Sequence, residues 1–587
     1  MNIATGQHQK RIRRRTRIMV LALAVWGATI AGRLFHLQIL SHAKMSAEVI
    51  DQNHRIQAIV PERGTITDRW GLILAQSVPA QAVYYNPVPG EQLDEQMKPV
   101  LKVKDALKLT DEALARIAKE IREKARFVYL SRKVDSETAD RIKALGASGI
   151  AFQPANLRFY PQGRLCSQVL GAVGTDDVGL GGIESKYNSV LRGANGEQIA
   201  QIDTKGQTYH FDILKEPRSG RSLELTIDAT IQYFAETALG RAMAEQQAAW
   251  GTAIVSVPAT GEILAMASAP DYDPNAFPPP DLETTINRAI HYLYEPGSTF
   301  KIVTGSAALE HRRVSLSQTF DCRKGVIETA GGLIRDHKSF GILTFPEALI
   351  ESSNVATVMV GRQVGSGLLY QTARSFGFGE KTGIELPAEA AGVLHPPTDW
   401  SRRSLDSVSI GYEVSATALQ VLGAANIIAN RGLYVPPRII KSVDGVPEKR
   451  PGRAADQAQV LSEQAAKAMA AILERVVLEG TGKEAGAAGY AFAGKTGTTQ
   501  IYDKVLKSYQ SARHIASFVG FAPADKPALS IIVVLAEPKK DAYYGGLVAA
   551  PVFREIAVRA LRAKGIFPRT DAGRSVFAAK TGKGGRP

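Results

Sequence analysis

Cysteine is almost missing: Cys166 and Cys322 are the only two in 587 residues. Two residues so far apart make no disulfide framework, and neither has histidine or cysteine neighbours at metal spacing. They read as two unpaired small side chains. Acidic residues are scarce at both ends. Residues 1–17 hold Lys10, Arg11, Arg13, Arg14, Arg15 and Arg17 with no acid, and from Arg562 onward seven basic residues face only Asp571. The net charge of +14 therefore sits mostly in the two ends, and the long middle is close to neutral. A nucleic-acid domain needs its charge on a folded face, so that class is disfavoured.

Long apolar runs are missing too, with one exception. Ile18–Leu40, IMVLALAVWGATIAGRLFHLQIL, follows the basic start. Its strictly uncharged part ends at Gly32, but Arg33 lies near the far end, where it can snorkel to the interface. No small-x-small cleavage site closes the run, which favours an uncleaved transmembrane signal anchor over 18–40 rather than a removed signal peptide. The excess of positive charge then places the basic tail, 1–17, in the cytoplasm and everything after about residue 41 outside.

The length calls for two or three domains. From 41 to 230, β-like stretches alternate with short helical ones. TDEALARIAKEI from Thr110 has an N-cap hydroxyl, acids in its first turn and Leu114, Ile117 and Ile121 at helical spacing. DSETADRIKALG from Asp135 repeats the plan and closes on Gly146. RGTITDRWGLILA at Arg63 and GGIESKYNSVLRG at Gly181 read as structural turns with paired charges. Nothing here pairs a nucleophile with a base, so 41–230 is expected to be a pedestal or docking module. From 231 to 568 the pattern changes. GTAIVSVPATGEILAMAS reads as a hairpin around Pro258–Gly261, long helical patterns follow, and SFVGFAPADKPALSIIVVLAEP is a second strand pair. Strands, helices and strands again indicate an α+β fold or a three-layer sandwich. The basic tail 569–587 is Gly- and Lys-rich and is expected to be disordered.

Three short motifs carry chemistry. In YEPGSTFKIVTGSAALE, Ser298 and Lys301 are three apart at the start of a helical stretch and share one face. A lysine kept neutral by burial or nearby positive charge can take the proton of such a serine, and a helix start offers N–H groups for an oxyanion. TFPEALIESSNVATVMVGRQ has a capping box, Thr344 to Glu347, then a break at Ser352–Asn354. Ser352 there can relay a proton to a leaving amine, and Asn354 can hold Lys301 and a substrate amide. Lys-Thr-Gly occurs three times. Lys381 lies in a Gly-rich connection, and Lys580 lies in the tail. Only the copy at Lys495, YAFAGKTGTTQ, is strand-like. There Gly497 leaves room for an extended peptide added as a strand, and Lys495, Thr496 and Thr498 suit a terminal carboxylate.

The order S-x-x-K, S-x-N, K-T-G resembles that of penicillin-binding proteins and β-lactamases. The chain resembles a class B penicillin-binding protein, a peptidoglycan D,D-transpeptidase of the division-specific FtsI type. The anchor ending in GRLFHLQIL, RGTITDRWGLILAQS, GGIESKYNSVLRG, NRAIHYLYEPGSTFK, GFGEKTGIELP, SIGYEVSATALQ and SFVGFAPAD carry the likeness as well. One departure is Pro258-Ala259, where the family usually has Asp-Pro. The resemblance implies a membrane-anchored N-terminal helix, a β-rich pedestal, and a penicillin-binding transpeptidase domain with an α/β/α sandwich, an antiparallel sheet and an all-helical part. It implies attack by Ser298 on the D-Ala-D-Ala carbonyl of a stem peptide, with Lys301 as base and the N–H groups of Ser298 and Thr498 as oxyanion hole. It implies no metal or organic cofactor, covalent inhibition by β-lactams, an inner-membrane location with the catalytic domain outside and at the septum, and a polytopic glycan polymerase of the FtsW kind as partner. An elongation-type enzyme and a non-enzymatic scaffold of the division machinery are the alternatives. A carboxypeptidase usually lacks such a pedestal. A β-lactamase is disfavoured by anchor and size, and a penicillin-sensing receptor by the missing H-E-x-x-H helix.

Overall fold

The computed structural model describes residues 4–41, 54–123, 125, 127–202, 208–276, 278–448, 458–503, 508–540 and 543–569. The tail 570–587, with the Lys580 triplet, lies outside the described residues. One helix, Ala4–Phe35, takes in most of the basic start and continues into a π-helical turn, His36–Leu40. Among the described residues its Ile12–Leu40 part is the one helix long and apolar enough to cross a membrane. By contacts the chain forms two compact units: Met1–Glu62 with Gly193–Ser219, and Arg63–Arg192 with Gly220–Pro587. The first unit holds a three-stranded antiparallel sheet of His54–Ile59, Gly196–Ile202 and Thr208–Lys215.

In the second unit, a five-stranded antiparallel sheet carries the C-terminal region. Its strands are β1 (Trp250–Ser256), β2 (Ile263–Ala269), β3 (Ala493–Asp503), β4 (Ser508–Ala522) and β5 (Leu529–Ala536), in the order β2-β1-β5-β4-β3. Both faces are apolar because both are covered. Ile254, Ile532 and Val534 belong to one core, with α2 (Lys301–Glu310), α5 (Ala418–Ala429) and α6 (Glu463–Leu478). Ala253, Val255, Val533 and Leu535 face the other, against α1 (Ala229–Gln246) and α7 (Ala550–Ala563). The period of two along each strand sorts these side chains between the layers. The expected three-layer sandwich is present, and β3 lies at its edge.

The helical stretches from Thr110 and Asp135 form as their caps predict. Thr110 accepts the N–H of Ala113 and Asp135 that of Thr138, opening helices Asp111–Arg122 and Ser136–Ala144. They pack Ile117, Ile121, Ala139 and Ile142 onto strands that include Val83, Val128 and Leu130. The two motifs read as turns meet in one buried cluster. Arg63 Nε and Arg158 Nε each lie 2.6 Å from a carboxylate oxygen of Glu184, which is fully buried.

The strand pattern gave no sign of one arrangement. A second sheet joins Ile440–Val443 to Leu223–Leu225, which pairs in parallel with Ile66–Thr67 and so continues into Ile73–Tyr85. The pedestal strands and a strand from the C-terminal region therefore share one hydrogen-bonded sheet across the expected boundary near 230.

Candidate active site

The site is assembled against β3. Pro296 leads into a 3₁₀ turn, Gly297–Phe300, which carries Ser298, and α2 begins directly after it at Lys301. Gly297 has φ +53°, and a Cβ there would lie 2.1 Å from Thr499 Cγ2, so only glycine permits this approach of turn to strand. Gly497 answers it from the strand side. A Cβ on Gly497 would lie 2.3 Å from Ser517 Oγ and 2.9 Å from Thr299 Cγ2. The sequence reading assigned this bareness to an incoming peptide; in the structure the space belongs to Ser517 and to the turn that carries Ser298. Gly497→Ala is expected to destabilise the protein by about 1–3 kcal/mol through overpacking, measured as a lowered denaturant midpoint. An unchanged midpoint would show that the turn can retreat freely.

Lys301 is fully buried. Its Nζ donates to Ser352 O at 2.6 Å and to Asn354 Oδ1 at 2.7 Å, with Ser352 Oγ at 3.4 Å. Burial pushes its pKa well below the usual lysine value; Lys495 pushes it the same way, and Asp336 opposes them. Burial is the largest of these causes and the Lys495 charge the next, the two influences named for this lysine from the sequence.

Ser352 and Asn354 come from the break between α3 (Phe345–Ile350) and α4 (Asn354–Val364). The capping box of Thr344 and Glu347 opens α3 as expected. Ser352 is left-handed, φ 57°, which turns the chain sharply enough to present its carbonyl, hydroxyl and Asn354 to one amine. The second amide hydrogen-bonding group of Asn354 is engaged as well: Nδ2 donates to Arg335 O at 2.8 Å.

Lys495 is 1% exposed, and burial lowers its pKa to about 7. Its Nζ donates weakly to Thr496 O, at 3.4 Å. Strand alternation starts Lys495 on the opposite face from the two threonines, yet its Nζ also reaches Thr496 Oγ1, at 3.5 Å. Thr496 Oγ1 shares a hydrogen bond with Thr481 Oγ1 at 2.9 Å, and Thr498 Oγ1 accepts the N–H of Gly545 at 2.9 Å. Lys495 and Thr496 are thus within reach of one another, while Thr498 Oγ1 is engaged with Gly545. Lys495 lies inward with Lys301, and Thr498 is the hydroxyl whose hydrogen is left to donate.

The Lys381 triplet is a different object. Lys381 is exposed, Thr382 N and Oγ1 both donate to Glu389 Oε1, at 2.7 and 2.5 Å, and Gly383 N donates to Glu389 Oε2. It is a loop wrapped on a buried carboxylate. Sequence reasoning missed Asp336 and Ser353, which bond each other beside Asn354. The turn at Gly331–Gly332 marked a hairpin there, but nothing local showed where its end would dock.

A family model described as the penicillin binding protein transpeptidase domain matches residues 251–557, and one described as the penicillin-binding protein dimerisation domain matches 58–225. The chain is 34% identical over 570 residues to Stage V sporulation protein D of Bacillus subtilis, covering 95% of this chain and 87% of that protein. It is 32% identical over 578 residues to peptidoglycan D,D-transpeptidase FtsI of Escherichia coli, covering 96% and 94%. Among solved structures, penicillin binding protein 3 of Mycobacterium tuberculosis in complex with aztreonam superposes with a TM-score of 0.67 at 28% identity, covering 88% of this chain and 98% of that one.

Proposed function

The chain belongs to the penicillin-binding protein transpeptidase family, and from that premise we propose that it cross-links peptidoglycan stem peptides through an acyl-enzyme on Ser298. One observation carries the choice of base. A neutral lysine has two hydrogens and one lone pair; Ser352 O and Asn354 Oδ1 accept the two hydrogens of Lys301, which leaves the lone pair for the Ser298 proton. Burial favours the neutral form of that amine.

Ser298 Oγ attacks the carbonyl carbon of the penultimate D-Ala while its proton passes to Lys301 Nζ. The N–H groups of Ser298 and Thr498 hold the oxyanion; the first lies in an opening helical turn, where no earlier acceptor is available to it. The C–N bond breaks, and terminal D-Ala leaves with a proton delivered through Ser352. An amine from a neighbouring stem then attacks the ester carbonyl and releases Ser298, which regains its proton. Thr498 donates to the terminal carboxylate, with Thr496 and Gly497 shaping the same strand edge, and Lys495 acts through its charge. β-Lactams acylate Ser298 by the same route. The relatives divide between a sporulation name and division names, and we assign this chain to septal synthesis, anchored by 18–40 and paired with a polytopic glycan polymerase of the FtsW kind.

The test uses a stem pentapeptide ending in D-Ala-D-Ala. Release of D-Ala, a transient mass gain on the protein, and transfer of the acyl group to an added amine are expected. Release without transfer at any amine concentration would make this a carboxypeptidase and overturn the reading. Uniform labelling of the cell envelope by a fluorescent fusion, with no septal band in dividing cells, would remove the septal part alone.

A further inference from the structure

We propose that Asp336 is a positioning residue for acylation: its carboxylate clamps the Ser352–Asn354 turn onto Lys301. The inference rests on the transpeptidase reading above. Asp336 ends the hairpin Val326–Thr329/Gly332–Arg335, and its own N–H donates to Gly325 O at 2.9 Å, so its backbone is held from behind. Its Oδ2 accepts the hydroxyl hydrogen of Ser353 at 2.8 Å. Its Oδ1 accepts the N–H of Asn354, in a short bond, and that of Val355 at 3.1 Å. One carboxylate thus satisfies two of the orphan N–H groups that open α4, where the helix dipole favours negative charge.

The neighbours of Asp336 extend the grip to both sides of the turn. Arg335 O takes the Asn354 amide, and Lys338 Nζ pairs with Glu351 Oε2 at 2.8 Å, next to Ser352. Ser353 is fully buried, and its Oγ also accepts the N–H of Ala356 at 3.0 Å. Asn354, held at both its amide nitrogen and its backbone nitrogen, has little freedom to turn its Oδ1 away from Lys301. The left-handed Ser352 needs such support, because its conformation persists only where the surroundings over-determine it.

The clamp also carries a charge toward the base. Lys301 is faced by Lys495 from β3, by Asp336 and His337 from the end of the hairpin, and by neutral Ser352 and Asn354 from the α3–α4 turn. Asp336 favours the protonated amine; Lys495 and burial favour the neutral one. Removing the carboxylate charge therefore makes Lys301 easier to deprotonate, and acylation should begin at lower pH. A residue that only held the fold together would not move that limb.

The experiment measures the rate constant for acylation of the full chain by a fluorescent penicillin across pH, with the labelled residue mapped by mass spectrometry. Asp336→Asn is expected to label at Ser298, with the acid limb of its profile moved to lower pH. Ser353→Ala keeps the charge and loses one bond to the carboxylate together with the cap on Ala356 N, so its rate should fall about tenfold while its limb stays in place. Asp336→Ala should fall about 100-fold. A limb that does not move in Asp336→Asn, or an Asp336→Ala variant within threefold of wild type, overturns the proposal; if the Ala variant does not fold, the Asn profile decides. Labelling at Ser298 with unchanged profiles would sink this inference alone. Labelling of the wild type elsewhere than Ser298 would sink it together with the proposed function.

Discussion

Ser298→Ala is expected to take up no fluorescent penicillin and to release no D-Ala, a loss on the order of 10⁶-fold in rate, as when a covalent nucleophile is removed from a preorganised site. The fold should survive. Ser298 is only half-buried, in the turn Gly297–Phe300, and the described hydrogen bonds of that turn use backbone atoms and the Thr299 hydroxyl, not the Ser298 side chain. Alanine is also a good helix former. The thermal midpoint should therefore match wild type, so a lost label reports chemistry. A label persisting at any other residue would end the assignment of Ser298.

Lys495→Ala carries the next largest effect: acylation by substrate or penicillin should fall about 10²–10³-fold, or roughly 3–4 kcal/mol of transition-state stabilisation. Two causes act together. The charge that favours a bound carboxylate and a developing oxyanion is lost. The charge that helps keep Lys301 neutral is lost as well, so the Lys301 pKa rises and more of the base is protonated at neutral pH. The acid limb should accordingly move to higher pH, opposite in sign to Asp336→Asn. Lys381→Ala should change the rate by less than about threefold, because that side chain is exposed and its threonine and glycine already serve Glu389. Lys580→Ala should do the same. Equal losses at all three lysines would show that the strand around Lys495 confers nothing special.

The local pieces of the candidate site were legible because each motif carries its own local context. Ser298 and Lys301 share a helix face, the capping box announces α3, and the strand-like surroundings of Lys495 separate it from the triplet at Lys381. The capped helices and hairpins were equally plain, since caps and period-two patterns are local signals. Three things were not legible. Gly497 looked like a gap for substrate, because no sequence pattern reveals that Ser517 and Thr299 fill it. The partners of Thr496 and Thr498 were not visible either, because Thr481 and Gly545 come from other segments of the chain. Asp336 stood 18 residues before Asn354 with no motif of its own, and only the docking of a short hairpin gives it a task.

The sheet that joins Ile440–Val443 to Leu223–Leu225 and Ile66–Thr67 bears on how relatives of this chain can be recombined. A graft cut at residue 230 looks clean in one dimension, yet it separates Leu223–Leu225 from the strand that flanks it. The donor pedestal must then pair its edge with the recipient's own strand, and a mismatch of register or side chains there would leave N–H and C=O rows open to intermolecular pairing. An exchange between family members therefore keeps this seam matched when it carries the segment around 440 along with the N-terminal half, although it lies far along the catalytic chain. Inheritance of the two halves is coupled by backbone hydrogen bonds rather than by position in the gene.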